Sequence, residues 1–228
     1  MLSIIMPAYN EEAQVSEIIN KVLALDVDKE IIVVDDASTD RTAEIVREIS
    51  STDSRVRFQA HERNAGKGAA VRTGISLVRG SHTVIQDADL EYEPADLIRL
   101  YQVALQGHPV VYGSRNMGPR SQREISSMSY YLGGVFLSLL TNLLYNVRLT
   151  DINTCYKLFD TRLLRSIPLE STGFEFCEEV TARILRRKIH IIELPVDYHP
   201  RDFAHGKKIR WTDGITGIRV LLKYRFFA

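Results

Sequence analysis

The chain has 228 residues, 45% of them hydrophobic and 25% charged, and its 29 Lys and Arg balance 29 Asp and Glu to a formal net charge of zero. That length can bury a sizeable core in one α/β domain, and the neutral balance argues against a nucleic-acid binder or a charged disordered tail. Two unpaired cysteines, Cys155 and Cys177, and the absence of a charged segment followed by an apolar one at the N-terminus predict structural thiols in a reducing, cytoplasmic setting.

Leu2 to Met6 is a short apolar run closed by Pro7, and Glu11 to Leu25 then carries Val15, Ile18, Ile19, Val22 and Leu23 at helical spacing. The unit repeats. Glu30 to Val34 reads as a buried strand, and the acidic turn Asp35-Asp36-Ala37-Ser38-Thr39-Asp40 can cap a helix near Arg41 to Ile49. Val56 to Phe58 begins a third unit with a helix over Gly66 to Val78, and Thr83 to Ile85 a fourth with a helix over Ala95 to Leu105. Strands alternating with helices predict a Rossmann-related, mostly parallel sheet with helices on both faces, in a single domain. Ligands of such sheets bind outside the carboxyl ends of the strands. Those ends are Pro7 to Glu11, Asp35-Asp36, and Gln86-Asp87-Ala88-Asp89. After the fourth strand, Asp87, Asp89 and Glu91 alternate, and an extended backbone would send all three carboxylates to one side.

Further along, Tyr130 to Tyr145 is strongly apolar but shorter than the roughly 20 residues a spanning helix needs, so it is expected to lie on a membrane surface or to pack as a core or dimer helix. Ile189 to Val196 is the last predicted strand. The stretch from Ile215 to Phe227 mixes apolar residues with Arg219, Lys223 and Arg225, as interfacial helices and packing helices both do.

Carboxylates at a ligand site repel an anionic nucleoside diphosphate unless a hard divalent cation, Mg²⁺ or Mn²⁺, lies between them. No G-x-G-x-x-G follows the first strand, and Asn64-Ala65-Gly66-Lys67-Gly68 lacks the upstream glycine and the following Ser or Thr of a phosphate loop, which disfavours a dehydrogenase and a P-loop enzyme. His199 and His205 have no cluster of soft ligands around them.

Four segments, Met6 to Glu12, Val33 to Asp40, Arg63 to Gly68 and Gln86 to Asp89, resemble in order and spacing the successive signatures of family-2 inverting glycosyltransferases. The later Gly113-Ser114-Arg115, Thr150 to Lys157, Gly173 to Phe176, and Arg201 with Gly206-Lys207-Lys208 resemble the dolichyl-phosphate mannose synthase group and its polyprenyl-phosphate relatives. The resemblance implies a GT-A-like fold with a nucleotide-sugar-binding half (1–113) and an acceptor-binding half (114–228). It implies that Pro7, Tyr9, Glu11, Asp36, Lys67, Asp87, Ala88 and Asp89 bind the nucleotide sugar, with Asp36 near the base and Glu11 near the ribose. It also implies Asp87, Asp89 and Glu91 as metal ligands, where many mannose synthases have glutamine in place of Glu91. The donor implied is GDP-mannose, with UDP-glucose or another UDP-sugar as the alternative. The acceptor implied is polyprenyl or dolichyl phosphate, met by a cytoplasmic protein in peripheral contact with the membrane.

Charge alone sets the rest of the chemistry. The leaving diphosphate needs cations, for which Arg115, Arg201 and Lys207 are candidates. A phosphate acceptor is already ionised near neutrality and needs no base, whereas a saccharide hydroxyl needs one, for which Asp151 and Glu179 are candidates. A non-catalytic nucleotide-sugar-binding scaffold is the reading from another class, and the intact Asp87, Asp89, Arg115, Arg201 and Lys207 argue against it.

Overall fold

The apolar run at the N-terminus forms β1 (Leu2–Ala8), in which every residue but Pro7 is buried. A computed structural model describes residues 1–117, 127–200 and 211–227. The first repeat continues with α1 (Val15–Leu23), whose buried face is Val15, Ile18, Ile19 and Val22, and with the fully buried β2 (Lys29–Asp35). Then come α2 (Thr42–Thr52), β3 (Val56–Ala60), α3 (Lys67–Leu77), β4 (His82–Ile85) and α4 (Asp96–Leu105). This half follows the predicted order, with element ends shifted by a few residues.

The second half departs from simple alternation. It contains β5 (Val110–Ser114), α5 (Met128–Tyr145), β6 (Lys157–Asp160), α6 (Thr161–Arg165), α7 (Phe176–Arg186), β7 (Ile192–Pro195) and α8 (Trp211–Phe226). Pattern reading names neither β5 nor β6. Among the described residues, the seven strands run β3-β2-β1-β4-β6-β5-β7, with β6 antiparallel to both neighbours and the other pairs parallel. Lys157 at the start of β6 is fully buried because its ammonium donates to the carbonyls of Ile152 and Thr154, both at 2.7 Å, and lies over the Tyr112 ring. A buried cation is tolerable when its donors are filled in this way.

From β1 the chain steps outward to β2 and β3, then returns to place β4 on the other side of β1. The strand order therefore reverses between β1 and β4, and the crevice beyond their carboxyl ends, at Ala8 and Ile85, is where a ligand binds in open sheets of this kind. The helices α5, α7 and α8 pack on one another: the Tyr145 hydroxyl donates to the Leu221 carbonyl at 3.0 Å, and the Tyr224 hydroxyl to Glu179 at 2.9 Å.

Candidate active site

The loops after β1 and β2 are laced together at the crevice. Asn10 N–H donates to Ser38 Oγ (2.9 Å), Thr39 N–H to Asn10 Oδ1 (2.8 Å) and Glu11 N–H to Thr42 Oγ1 (2.8 Å). Asn10 and Ala37 take left-handed backbone angles, φ 51° and 60°. For alanine that conformation costs energy and persists only where the surroundings fix it. Pro7, Tyr9 and Glu11 thus border the crevice on a clamped segment. Asp36, beside them, accepts N–H groups from Ala65 (2.9 Å) and Gly66 (2.7 Å), and its Oδ1 lies 2.7 Å from His61 Nδ1. Its carboxylate organises the loop of residues 61–66.

The glycines of this loop have a packing cause. Gly66 adopts φ 95°, and a Cβ on Gly68 would lie 2.8 Å from the carbonyl oxygens of Ser171 and Gly173. The loop of residues 171–173 can approach α3 this closely only over glycine. Between the two glycines, the Lys67 ammonium reaches Asp87 at 2.6 Å. Burial is the largest influence and opposes its charge, but Asp87 together with Cys155 and Cys177 raises the lysine well above its ordinary pKa.

The expected alternation of carboxylates after β4 does not occur. The strand ends at Ile85 and the backbone then bends, so the three side chains take different partners. Asp87 pairs with Lys67, Asp89 accepts the Glu91 N–H at 3.2 Å, and Glu91 accepts the Tyr198 hydroxyl at 2.7 Å. Among the described residues, no three His, Cys, Asp or Glu side chains stand together to hold a metal ion. Asp87, Asp89 and Glu91, which the resemblance implies as metal ligands, hold separate partners in this structure. Asp89 and Glu91 still fit a divalent cation chemically: they are hard oxygen donors on one loop, and Mg²⁺ bound through one or two carboxylates completes its shell with phosphate oxygens and water.

Across the crevice, Arg115 follows β5 and meets Asp151 in a two-pronged pair, Nε to Oδ2 at 2.7 Å and Nη2 to Oδ1 at 2.8 Å. Its guanidinium also lies over the Tyr198 ring, 5.1 Å from the centroid. Asp151 is 2% exposed, and although burial pushes its pKa up, Arg115 overcomes this and holds it below the ordinary carboxylate value. A carboxylate so placed is a poor proton acceptor at neutral pH. Glu179 does not join the site. It accepts N–H groups from Glu170 and Ser171, the Arg183 guanidinium and the Tyr224 hydroxyl, and these offset its burial to lower its pKa. It ties α7 to α8 and is not placed to act as a base. The neighbouring Glu178 is 3% exposed, and burial raises its pKa to about 7. Arg201 and Lys207 lie outside the described residues. Tyr198, which touches both Arg115 and Glu91, is the functional candidate that sequence reasoning misses; its only signal is an aromatic just ahead of the basic stretch from Arg201 to Arg210.

Beside Arg115, a cleft of about 370 Å³ is lined by Asn116, Arg148 and Thr150 on one wall and by Tyr131, Val135 and Leu139 of α5 on another. On the outer surface of α5, Leu132, Phe136, Leu139 and Leu143 are each more than half exposed. Among the described residues no helix is long and apolar enough to cross a membrane.

Residues 3–168 match the family model described as glycosyl transferase family 2. The chain belongs to that family. The low-salt glycan biosynthesis hexosyltransferase of Haloferax volcanii is 28% identical over 225 residues, 97% of this chain but only 53% of that protein. The UDP-N-acetylglucosamine–dolichyl-phosphate N-acetylglucosaminyltransferase of Methanococcus voltae is 28% identical over 229 residues, covering 92% of this chain and 90% of that protein. Glucosyl-3-phosphoglycerate synthase from Mycobacterium tuberculosis, solved with Mn²⁺, UDP and glucosyl-3-phosphoglycerate, superimposes with a TM-score of 0.72 at 21% identity over 99% of this chain and 80% of that one. At that identity the likeness concerns the fold. The chain has the GT-A-like fold of that family.

Proposed function

We propose that the chain transfers a hexose-type sugar from a nucleoside diphosphate donor to a polyprenyl phosphate, with inversion and with Mg²⁺ or Mn²⁺ at Asp89 and Glu91. The acceptor phosphate oxygen forms the new bond to the anomeric carbon as the opposite bond to the diphosphate breaks. A bound divalent cation supplies charge neutralisation on that departing diphosphate. Lys67, fixed by Asp87, and Arg115, fixed by Asp151, offer preorganised cations on either side of the crevice, whose value is greatest where water is excluded.

The observation that carries the lipid acceptor is the continuity of the cleft with the surface of α5. Leu139 belongs both to the cleft wall and to the exposed apolar stripe. An isoprenoid can therefore lie along α5 in a membrane surface while its phosphate points toward Asn116, Arg148 and Arg115. Asp151 and Glu179, both with lowered pKa, support a phosphate acceptor over a hydroxyl. On the donor, the uridine nucleotides named for the Methanococcus enzyme and the mycobacterial complex support a UDP-sugar ahead of the GDP-mannose that the sequence resemblance implies.

The test is transfer of labelled sugar from UDP-glucose, UDP-N-acetylglucosamine and GDP-mannose to a short polyprenyl phosphate in detergent with Mn²⁺. Label is expected in an organic-extractable product with wild type and lost with Asp89→Ala. Donor binding without any lipid product, from all three sugars, would sink the lipid acceptor.

A further inference from the structure

Residues 195–199, from the last residue of β7 onward, are strapped across the carboxylate loop by contacts that do not involve the Tyr198 hydroxyl. Tyr198 pairs with Tyr92 in an antiparallel bridge, and His199 N–H donates to the Glu91 carbonyl at 2.8 Å. Asp197 N–H donates to Asp96 Oδ2 at 2.7 Å, and Arg99 reaches the Pro195 carbonyl at 2.8 Å. Tyr198 is thereby set by backbone pairing directly over the loop, with its ring 5.0 Å from that of Tyr92. From there it makes two side-chain contacts that lead into the site. Its hydroxyl donates to Glu91 Oε2 at 2.7 Å, and its ring face meets the Arg115 guanidinium.

We propose that Tyr198 is a positioning residue for the divalent cation, its hydroxyl orienting the Glu91 carboxylate that shares the cation with Asp89. The inference rests on the metal reading above and goes beyond it by assigning what orients the ligand. A carboxylate accepts several partners at once, so the Tyr198 hydrogen bond and a metal bond are compatible on one group. Metal-bound carboxylates are commonly held by such an outer hydrogen bond, and its removal costs about 10–100-fold in metal affinity. Because Tyr198 sits in a strap pinned at its backbone, it adds little rotational freedom to the carboxylate it holds. The same ring steadies Arg115, so the cation site and the guanidinium facing it share one support.

The experiment is a Mn²⁺ titration in the presence of UDP or GDP, with free Mn²⁺ read by electron paramagnetic resonance. It compares wild type, Tyr198→Phe, Asp89→Ala, Glu91→Ala and the double variant Tyr198→Phe/Glu91→Ala. Tyr198→Phe keeps the ring, the bridge to Tyr92 and the contact with Arg115, so its melting temperature should stay near that of wild type. The expected result is about a tenfold weaker Mn²⁺ affinity in Tyr198→Phe, and no further weakening when the change is made on Glu91→Ala. Unchanged Mn²⁺ affinity in Tyr198→Phe, or equal weakening in both backgrounds, would overturn the inference while leaving the metal reading intact. Failure of wild type to bind Mn²⁺ with either nucleotide, or full binding by Asp89→Ala, would overturn the metal reading and this inference with it.

Discussion

Replacing Glu178 by glutamine tests the electrostatics of the junction between α7 and α8. The carboxyl is 3% exposed, accepts from Asn153 Nδ2, and stands so close to α8 that a Cβ on Gly217 would lie 3.0 Å from it. Burial raises its pKa from 4.5 to about 7, against smaller opposing contributions from the hydrogen bond and from Lys157. A raised carboxyl pKa means the folded state holds its proton after the unfolded chain has lost it. Stability attributable to this group is therefore full below pH 4.5 and falls as pH rises to about 7, after which it is constant. The gap of roughly 2.5, at about 1.4 kcal/mol per pH unit, gives an upper value of about 3 kcal/mol. Glutamine keeps an acceptor for Asn153 and cannot ionise. Urea unfolding of wild type and Glu178→Gln across pH 4.5–8 should give a difference that grows with pH in favour of the variant and levels off above about pH 7. Other titrating groups cancel in that difference, so one that stays constant over the range would refute a buried, titrating Glu178.

Gly68→Ala should lower stability by about 1–3 kcal/mol, since the new methyl meets two backbone carbonyls of residues 171 and 173 and not a yielding side chain, and a thermal melt measures it. Asp151→Asn should cost about 1–3 kcal/mol by removing the counter-charge of the half-buried Arg115, as urea unfolding measures, and a variant as stable and as active as wild type would refute the orienting role of Asp151. If the acceptor is a phosphate, the acid limb of kcat/KM should sit near its second pKa of about 6 and move down with a more acidic fluorinated phosphonate acceptor. A limb that stays in place would belong to a protein group.

The sequence is most readable where local pattern and tertiary role coincide. β1, β2 and β4 centre on continuous apolar runs, so burial on both sides of a parallel sheet writes itself into composition, while the edge strand β3 interleaves Arg57 and Gln59 with Val56 and Phe58. β6 escapes notice because four residues begin and end with a charge, and the solvation of Lys157 by two carbonyls is a three-dimensional fact. The carboxylates at 87, 89 and 91 are visible, but their directions depend on where β4 stops, which alternation cannot tell. Neighbouring glutamates on α7 point about 100° apart. Sequence nominates Glu179 as a base, yet the fold turns it toward Tyr224 and buries Glu178 against Asn153 instead. The pairs that define the site join residues 20, 36 and 107 apart, Lys67 with Asp87, Arg115 with Asp151, and Glu91 with Tyr198. No local pattern carries separations of that size.

On the proposed function, those pairs also explain how a chain of zero net charge would receive a donor and an acceptor that are both anionic. Lys67 and Arg115 would be costly to keep charged at a partly buried site without partners, and their own carboxylates hold them in place. For Arg115 the arithmetic of donors matters. A guanidinium has five N–H groups, and Asp151 engages Nε and Nη2, so donors remain for a phosphate while the plane of the group is fixed by the carboxylate and by the Tyr198 ring. A lysine could not satisfy a two-pronged carboxylate and stack on a ring in this way. Asp151 is accordingly an orienting group: the stronger its hold on Arg115, the lower its own basicity, and that trade suits an acceptor whose nucleophilic oxygen is already ionised.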